Sequence, residues 1–205
     1  ILTDDRTAFE NMVRLTEKFA GIIQVDVMDG KLVPSKSISP ADVGSVTTAV
    51  YAEAHLMVEE PLEWIAAFKS FGARRVLFHY EMRDKDFGRV IGAIRDAGME
   101  PGLVVNPDTS LAEFARFVPL VDMVLFMSVY PGFYGAPFVP KVLDKIKDFR
   151  LHFPNTVTSI DGGVKVDNIK EIAATGVHQI CVGSAILKAD DPEAAWKKLQ
   201  NIVNT

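Results

Sequence analysis

Short apolar segments alternate with amphipathic segments along the whole chain, and this alternation constrains the fold more than any other feature. The apolar segments are rich in β-branched residues, which predicts buried strands of a parallel sheet. They cover 22–27, 51–57, 75–80, 102–105, 123–129, 157–160 and 179–182. Ile1-Leu2 resembles the end of one further strand, so the sequence predicts a repeated strand–helix unit.

The amphipathic segments predict a helix after each strand. They cover about 5–19, 41–48, 61–72, 86–97, 111–117, 139–153, 168–174 and 192–203. Eight such units, each of roughly 25 residues, predict an α/β fold, a single-domain (β/α)8 TIM barrel over residues 1–205 whose first strand begins before Ile1. An open doubly wound sheet remains an alternative, but it usually places a glycine-rich loop after its first strand, whereas the glycine-rich turns here come late.

Composition and charge exclude several classes of protein. The formal net charge is −5 and the basic residues are scattered, so we expect no nucleic-acid partner. No apolar run approaches the roughly 20 residues of a membrane span, and no signal-like segment opens the chain, so we expect a cytoplasmic protein with no membrane partner. The single cysteine, Cys181, lies in an apolar segment and is interpreted as a core residue rather than a reactive thiol.

Polar residues follow or end most of the predicted strands, and in a barrel these strand ends meet at one mouth. They are Gln24, Asp26, Asp29, His55, His79, Glu81, Asn106, Ser128, Asp161, Gly183 and Ser184. Two carboxylates and an imidazole, from Asp26, His55 and Asp161, could together hold a divalent ion, with Gln24 on the same side of its strand as Asp26. Taken singly, His55 could be a core histidine, and Asp26 could merely cap the following loop.

Two glycine-containing turns follow the last two predicted strands, at 161–163 and 183–184. Barrels often bind phosphate at these loops, where the backbone N–H groups of glycine approach an anion closely. The sequence therefore predicts phosphate contacts at Gly162, Gly163, Gly183 and Ser184, although turns use glycine without any ligand as well.

Three methionines, Met28, Met57 and Met127, lie at or just past strand ends. They are either plain core residues or the apolar wall of a dry substrate cavity. The segment 127–138 is rich in glycine, proline and aromatic residues, which is typical of a lid but also of an ordinary loop.

Taken together, these motifs resemble the ribulose-phosphate 3-epimerase family over nearly the whole chain. The matching segments are 25–30, 33–34, 54–58, 78–81, 106–107, 127–129, 131–133, 160–164 and 182–185. The resemblance implies a (β/α)8 barrel that interconverts D-ribulose 5-phosphate and D-xylulose 5-phosphate. It implies that Asp26 and Asp161 act as acid and base on opposite faces of C3. It also implies a divalent metal (Zn, Fe, Mn or Co), held by these aspartates and two histidines, that stabilises the enediolate.

This chain departs from the family pattern at three places. Gln24 stands where the family has a metal-binding histidine, and Tyr134-Gly135-Ala136 stands where the lid usually has Gly-Gly-Gln. We still expect Gly135 to contact the phosphate. The serine expected just before Ile1 lies outside the sequence.

The departures leave alternatives open. One is an epimerase or isomerase of another phosphorylated ketose, and another is a non-catalytic phosphosugar-binding homologue that has lost its metal. The Asp-x-Lys-x-x-Asp motif of related decarboxylases and aldolases is not found in the sequence. We expect a phosphorylated ketose as substrate and a homo-oligomeric assembly.

Overall fold

Parallel strands, hydrogen-bonded in the order in which they occur along the chain, form the sheet of this protein. The computed structural model describes residues 1–82, 85–132 and 135–204. Its seven strands are β1 Ile22–Met28, β2 Tyr51–Met57, β3 Ala73–His79, β4 Glu100–Val105, β5 Met123–Met127, β6 Val157–Asp161 and β7 Gln179–Cys181. Sequential order rules against the doubly wound alternative, because that fold reverses its strand order at a switch point.

Helices alternate with the strands, as the amphipathic segments predict. They are α1 Arg6–Thr16, α2 Pro40–Gly44, α3 Leu62–Phe71, α4 Phe87–Asp96, α5 Leu111–Phe114, α6 Lys141–His152, α7 Ile169–Ala173, α8 Ser184–Leu187 and α9 Pro192–Val203, with a 3₁₀ helix at Ala115–Leu120. Acidic side chains cap several of them: Asp5, Asp86 and Asp191 each accept a hydrogen bond from the backbone of the first turn. The predicted helix at 111–117 is divided into α5 and the 3₁₀ helix, which contains Pro119.

The strands form a nearly closed barrel, which confirms the predicted single-domain α/β (β/α)8 TIM barrel. Every pairing is parallel, and the register places Asp26 beside His55 and Met127 beside Asp161. The start of the chain runs next to β1, because the carbonyl of Ile1 accepts a hydrogen bond of 2.9 Å from the backbone N–H of Asp26. No helix within the described residues is long and apolar enough to cross a membrane.

Among the described residues, apolar side chains pack on both faces of the sheet, and each face carries its own layer. The larger one lies between the sheet and the helices and includes Phe68, Phe78, Phe126 and Phe149, all fully buried. The smaller one fills the barrel interior and includes Leu77, Val104, Met123, Leu125 and Met127. Because side chains of a strand alternate between faces, every second residue of each strand enters this interior.

A charged network lies deeper in the interior, towards the amino ends of the strands. The Arg75 guanidinium donates to Glu53 at 2.5 Å and to Glu100 at 2.5 Å. Gln179 donates to the second oxygen of Glu53 at 2.6 Å. The Glu53 side chain is fully buried, and burial raises its pKa even though Arg75 acts against this. These contacts satisfy a carboxylate that would otherwise be costly to bury.

Candidate active site

Two aspartates from distant parts of the chain meet at the carboxyl end of the barrel. Asp26 lies near the end of β1, Asp161 is the last residue of β6, and His55 of β2 lies between them. The His55 Nδ1 atom is 2.9 Å from Asp26 Oδ1 and 3.4 Å from Asp161 Oδ2. His55 is fully buried, whereas the two aspartate side chains are 18% and 19% exposed. The carboxylates therefore remain accessible to a small molecule that enters the mouth.

Gln24 faces the same point from β1, two residues before Asp26. Its Nε2 atom donates to Asp26 Oδ1 at 2.8 Å and to Asp161 Oδ2 at 2.8 Å, and lies 3.4 Å from His55 Nδ1. Its Oε1 atom accepts a hydrogen bond of 3.0 Å from the thiol of Cys181. Ionised carboxylates can only accept hydrogen bonds, so they favour the amide nitrogen over the amide oxygen at this position.

The contacts of His55 make it a cation at neutral pH. Burial alone would lower its pKa, but hydrogen bonds to Asp161 and Asp26 and their negative charges raise it to about 9. The pKa of Asp26 is lowered: burial acts to raise it, and the ammonium group of Ile1, His55 and Gln24 together outweigh burial. The imidazolium of His55 thus places positive charge beside Asp26 and Asp161.

The chemistry of the donors decides whether a metal fits here. Oxygen of Asp26, nitrogen of His55 and oxygen of Asp161 lie within 4.8 Å of one another, and such a mixed set suits Zn, Fe, Mn or Co. Gln24 does not complete the set as it is oriented, because it presents a donor nitrogen to the centre. Its amide would have to rotate to offer Oε1, and this would break the hydrogen bond from Cys181.

A second histidine extends the cluster into the protein. His79 of β3 is buried, and its Nε2 atom lies 3.0 Å from the Nε2 atom of His55. Its Nδ1 atom lies 3.2 Å from Glu81 Oε2. The sequence analysis predicted that His79 and Glu81 lie at the mouth of the barrel, but it assigned neither of them a function.

The residues expected to bind phosphate are not all in one place. Gly135 and Ser184 line a cavity of about 420 Å³, together with Lys165, Ala185 and Lys188. The sequence analysis missed the two lysines. A signal was present, since each lysine follows a predicted site residue by four positions: Lys165 follows Asp161, and Lys188 follows Ser184.

The other three glycines have different surroundings. Gly183 lines a separate cavity that also reaches Gln24, Asp26 and Asp161. Gly162 has a φ of +115°, and a Cβ atom there would lie 2.6 Å from Val129. Gly163 has a φ of +64°, and a Cβ atom there would crowd both Val129 and Phe138. The positive φ at both positions, together with the close approach of Val129 at Gly162, favours glycine here without any ligand.

The three methionines are all buried, but they belong to two clusters. Met28 and Met57 pack with Val33 at the mouth of the barrel. Met127 packs with Leu125 and other apolar residues of the barrel interior. In the sheet register Met28 pairs with Met57 and Met127 pairs with Asp161, which places all three methionines at the level of the strand ends.

The segment 127–138 contacts the loop after β1. The Ser35 hydroxyl donates to the carbonyl of Gly132 at 2.5 Å, and a Cβ atom at Gly132 would lie 2.9 Å from Pro34. Tyr130 donates to Asp108 at 2.7 Å. Tyr134, which the sequence analysis singled out in this segment, lies outside the described residues, as does Phe133.

Comparison with protein families gives a match over most of the chain. The model of the "Ribulose-phosphate 3 epimerase family" matches residues 1–187. A curated relative from Mycobacterium leprae (strain TN), named ribulose-phosphate 3-epimerase, is 37% identical over 201 residues, which are 93% of this chain and 89% of the relative. Ribulose-phosphate 3-epimerase 2 of Cupriavidus necator is 37% identical over 188 residues, 87% of this chain and 78% of the relative.

Solved structures show a similar fold at lower sequence identity. A 3-hexulose-6-phosphate synthase has a TM-score of 0.71 at 20% identity, over 98% of this chain and 96% of the other. The phosphoribosyl anthranilate isomerase from Thermococcus kodakaraensis has a TM-score of 0.66 at 14% identity, over 95% and 94% of the two chains. At these identities the similarity supports the barrel architecture alone.

Proposed function

Because the chain belongs to the ribulose-phosphate 3-epimerase family, and is thus a sugar-phosphate epimerase as its motifs indicated, we propose that it interconverts D-ribulose 5-phosphate and D-xylulose 5-phosphate. The observation that carries this proposal is the convergence of Asp26 and Asp161, each within 2.8 Å of the same Gln24 nitrogen. Epimerisation next to a ketone needs one group that removes the C3 proton and a second that returns a proton to the opposite face. Two carboxylates facing one another across a small gap suit this pair of tasks.

In the proposed mechanism the two aspartates exchange roles with the direction of the reaction. One carboxylate takes the proton from C3, and the other, protonated, delivers a proton from the other side of the carbon. His55 supports this by holding Asp26 at 2.9 Å and by placing positive charge beside both carboxylates. Met28, Met57 and Met127 provide the apolar wall of the substrate cavity, which excludes water and strengthens electrostatic effects on the substrate.

A divalent metal (Zn, Fe, Mn or Co) is proposed at Asp26, His55 and Asp161. When bound, it would supply positive charge to the oxygen atoms of the substrate, which become negative as the C3 proton leaves. Gln24 would join as a fourth ligand only after its amide rotates. We therefore expect the site to bind metal less tightly than a site with a second imidazole.

The substrate phosphate is proposed to bind in the cavity that Gly135 and Ser184 line. Lys165 and Lys188 support this assignment, because two cationic side chains at one cavity favour a dianion. The backbone N–H groups of Gly162, Gly163 and Gly183 are proposed to contribute from the neighbouring turns.

A cytoplasmic location, a homo-oligomeric assembly and the absence of a nucleic-acid partner also remain proposals, the last supported by the net charge of −5.

Exchange of the C3 proton with solvent tests the proposal directly. Protein supplied with Mn²⁺ or Zn²⁺ is incubated with ribulose 5-phosphate in D₂O, and NMR follows deuterium at C3 and the appearance of xylulose 5-phosphate. We expect both in the unmodified protein and a loss of about 10²- to 10⁴-fold in epimerisation in D26N and D161N. D167N is the matched control, since Asp167 is exposed and lies in the loop just after Asp161. Absence of exchange with either metal, or a preference for a ketohexose phosphate, would overturn the assignment.

A further inference from the structure

Glu81, His79 and His55 are joined by hydrogen bonds in that order, and the proposed mechanism does not use His79 or Glu81. Both histidines are essentially inaccessible, with exposed fractions of 0% and 1%. From these contacts we propose that His79 and Glu81 are positioning residues that keep the Nε2 atom of His55 protonated, so that Nδ1 is the nitrogen presented to Asp26 and Asp161. The role deepens the proposed function, since it concerns the same site.

The contact between the two imidazoles allows only one proton between them. The His55 and His79 rings are nearly parallel, at 19°, and their Nε2 atoms are 3.0 Å apart. At this distance one nitrogen must carry the hydrogen and the other must accept it, because two N–H groups would repel and two lone pairs would form no bond. The donor at this contact determines the tautomer of both rings.

Glu81 settles which ring is the donor. One of its carboxylate oxygens, Oε1, accepts a hydrogen bond of 2.9 Å from the backbone N–H of Asn106 and another from the Thr109 hydroxyl. These bonds, together with the one from His79, lower its pKa although burial acts to raise it, so the group is an ionised acceptor. Its other oxygen, Oε2, is 3.2 Å from His79 Nδ1, and a carboxylate there requires a hydrogen on that nitrogen.

The hydrogen on His79 Nδ1 determines the protonation of the other ring nitrogens. The Nδ1 atom of His55 lies 2.9 Å and 3.4 Å from two carboxylates, whereas the Nδ1 atom of His79 faces only one. The additional proton of the pair is therefore held by His55, and His79 carries a single ring proton. With that proton on Nδ1, the Nε2 atom of His79 is an acceptor, and His55 must donate from its own Nε2. The Nδ1 atom of His55 then faces the aspartates in every state, either as a donor or as a lone pair for a cation.

The substitution Glu81→Gln reverses the direction of the hydrogen bonds that run from residue 81 through His79 to His55. It leaves the size and shape of the side chain at position 81 nearly unchanged. The backbone N–H of Asn106 can only donate, so the amide oxygen stays on that side and the NH₂ group turns towards His79. His79 then accepts at Nδ1 and carries its proton on Nε2. His55 must then accept this hydrogen bond at Nε2 and carry its own proton on Nδ1. A proton on Nδ1 hinders the binding of a cation at that nitrogen.

Thr109→Val is the matched control. It removes the hydroxyl that donates to Glu81, in the same small network, but leaves the carboxylate as an acceptor for His79. A purely structural role of this network would make the two variants behave alike. A positioning role makes only E81Q change the ring protonation.

The experiment combines ¹⁵N–¹H NMR of the imidazoles at pH 7 with titration of the protein by Zn²⁺ alone. The chain has four histidines, so the ring signals can be assigned with single variants. We expect His79 to be protonated on Nδ1 in the unmodified protein and in T109V, and on Nε2 in E81Q. Zn²⁺ affinity should fall about 10- to 100-fold in E81Q, and less than about threefold in T109V.

Several outcomes would overturn the inference. They are a proton on Nε2 of His79 in the unmodified protein, an unchanged tautomer in E81Q, and an equal loss of Zn²⁺ affinity in both variants. Even if E81Q does not fold, the spectrum of the unmodified protein shows whether His79 carries its proton on Nδ1, and so tests the inference. A failure to epimerise ribulose 5-phosphate would leave the ring spectra unaffected, so failure of the proposed function is distinguishable from failure of this inference.

Discussion

The side-chain nitrogen of Gln24 lies 2.8 Å from an oxygen of Asp161, a residue 137 positions later in the chain. The same nitrogen lies 2.8 Å from Asp26, so one neutral amide joins both carboxylates. Two like charges this close repel each other strongly in a partly buried site, and a shared donor reduces that cost. A divalent ion bound by the same carboxylates would take much the same position, so Gln24 competes with it.

Replacing Gln24 with histidine should strengthen metal binding. An imidazole can turn a lone pair towards the ion, whereas the amide of Gln24 presents N–H groups. We expect Zn²⁺ affinity to rise by at least about tenfold in Q24H, measured by calorimetric titration. N11H, which adds a histidine at an exposed position of α1, controls for adventitious binding. Equal affinities of Q24H and the unmodified protein would show that residue 24 is not a metal ligand.

Metal affinity should also depend on pH through His55. Its Nδ1 atom holds a proton with a pKa raised to about 9, and a metal that binds there must displace that proton. Apparent affinity should therefore rise with pH up to about 9, by up to about tenfold per unit. Zn²⁺ titrations at several pH values between 6 and 8.5 measure the slope. A flat profile would mean that His55 is neutral before the metal arrives.

Burial of apolar side chains made the strands predictable. The predicted limits of all seven strands agree with the structure to within two residues, because each central strand must be apolar on both faces. The short helices were less predictable. Helix α2 ends at Gly44 rather than near Thr48, and α8 has only four residues, too few to show a helical period. Local capping and tertiary contacts determine such elements.

The candidate site was predictable where strand position alone determines it. Asp26, His55 and Asp161 lie at or near the carboxyl ends of three strands of one barrel, so their convergence follows from the fold. The orientation of the Gln24 amide was not predictable, since it depends on the Cys181 thiol across the barrel. The role of Glu81 was not predictable either, because its carboxylate is fixed by the loop after β4 rather than by its own strand.

The lysines at the phosphate cavity should contribute to binding rather than to chemistry. Lys165 and Lys188 line the cavity with Ser184, so replacing either with methionine removes a charge that attracts the substrate phosphate. We expect KM to rise about fivefold in K165M and in K188M, with kcat changed less than about twofold. K69M, at an exposed position of α3, is the control. A large fall in kcat with unchanged KM would contradict a phosphate-binding role.

Stability should depend on Arg75 far more than on a surface arginine. Arg75 is 11% exposed and neutralises Glu53, which is fully buried in the barrel interior. R75M would leave that carboxylate without its charge partner, and we expect a loss of about 3–5 kcal/mol in the free energy of unfolding. R6M removes an exposed pair with Glu10 and should cost less than about 1 kcal/mol. Urea denaturation compares them, and equal midpoints would mean that Glu53 is neutral in the folded protein.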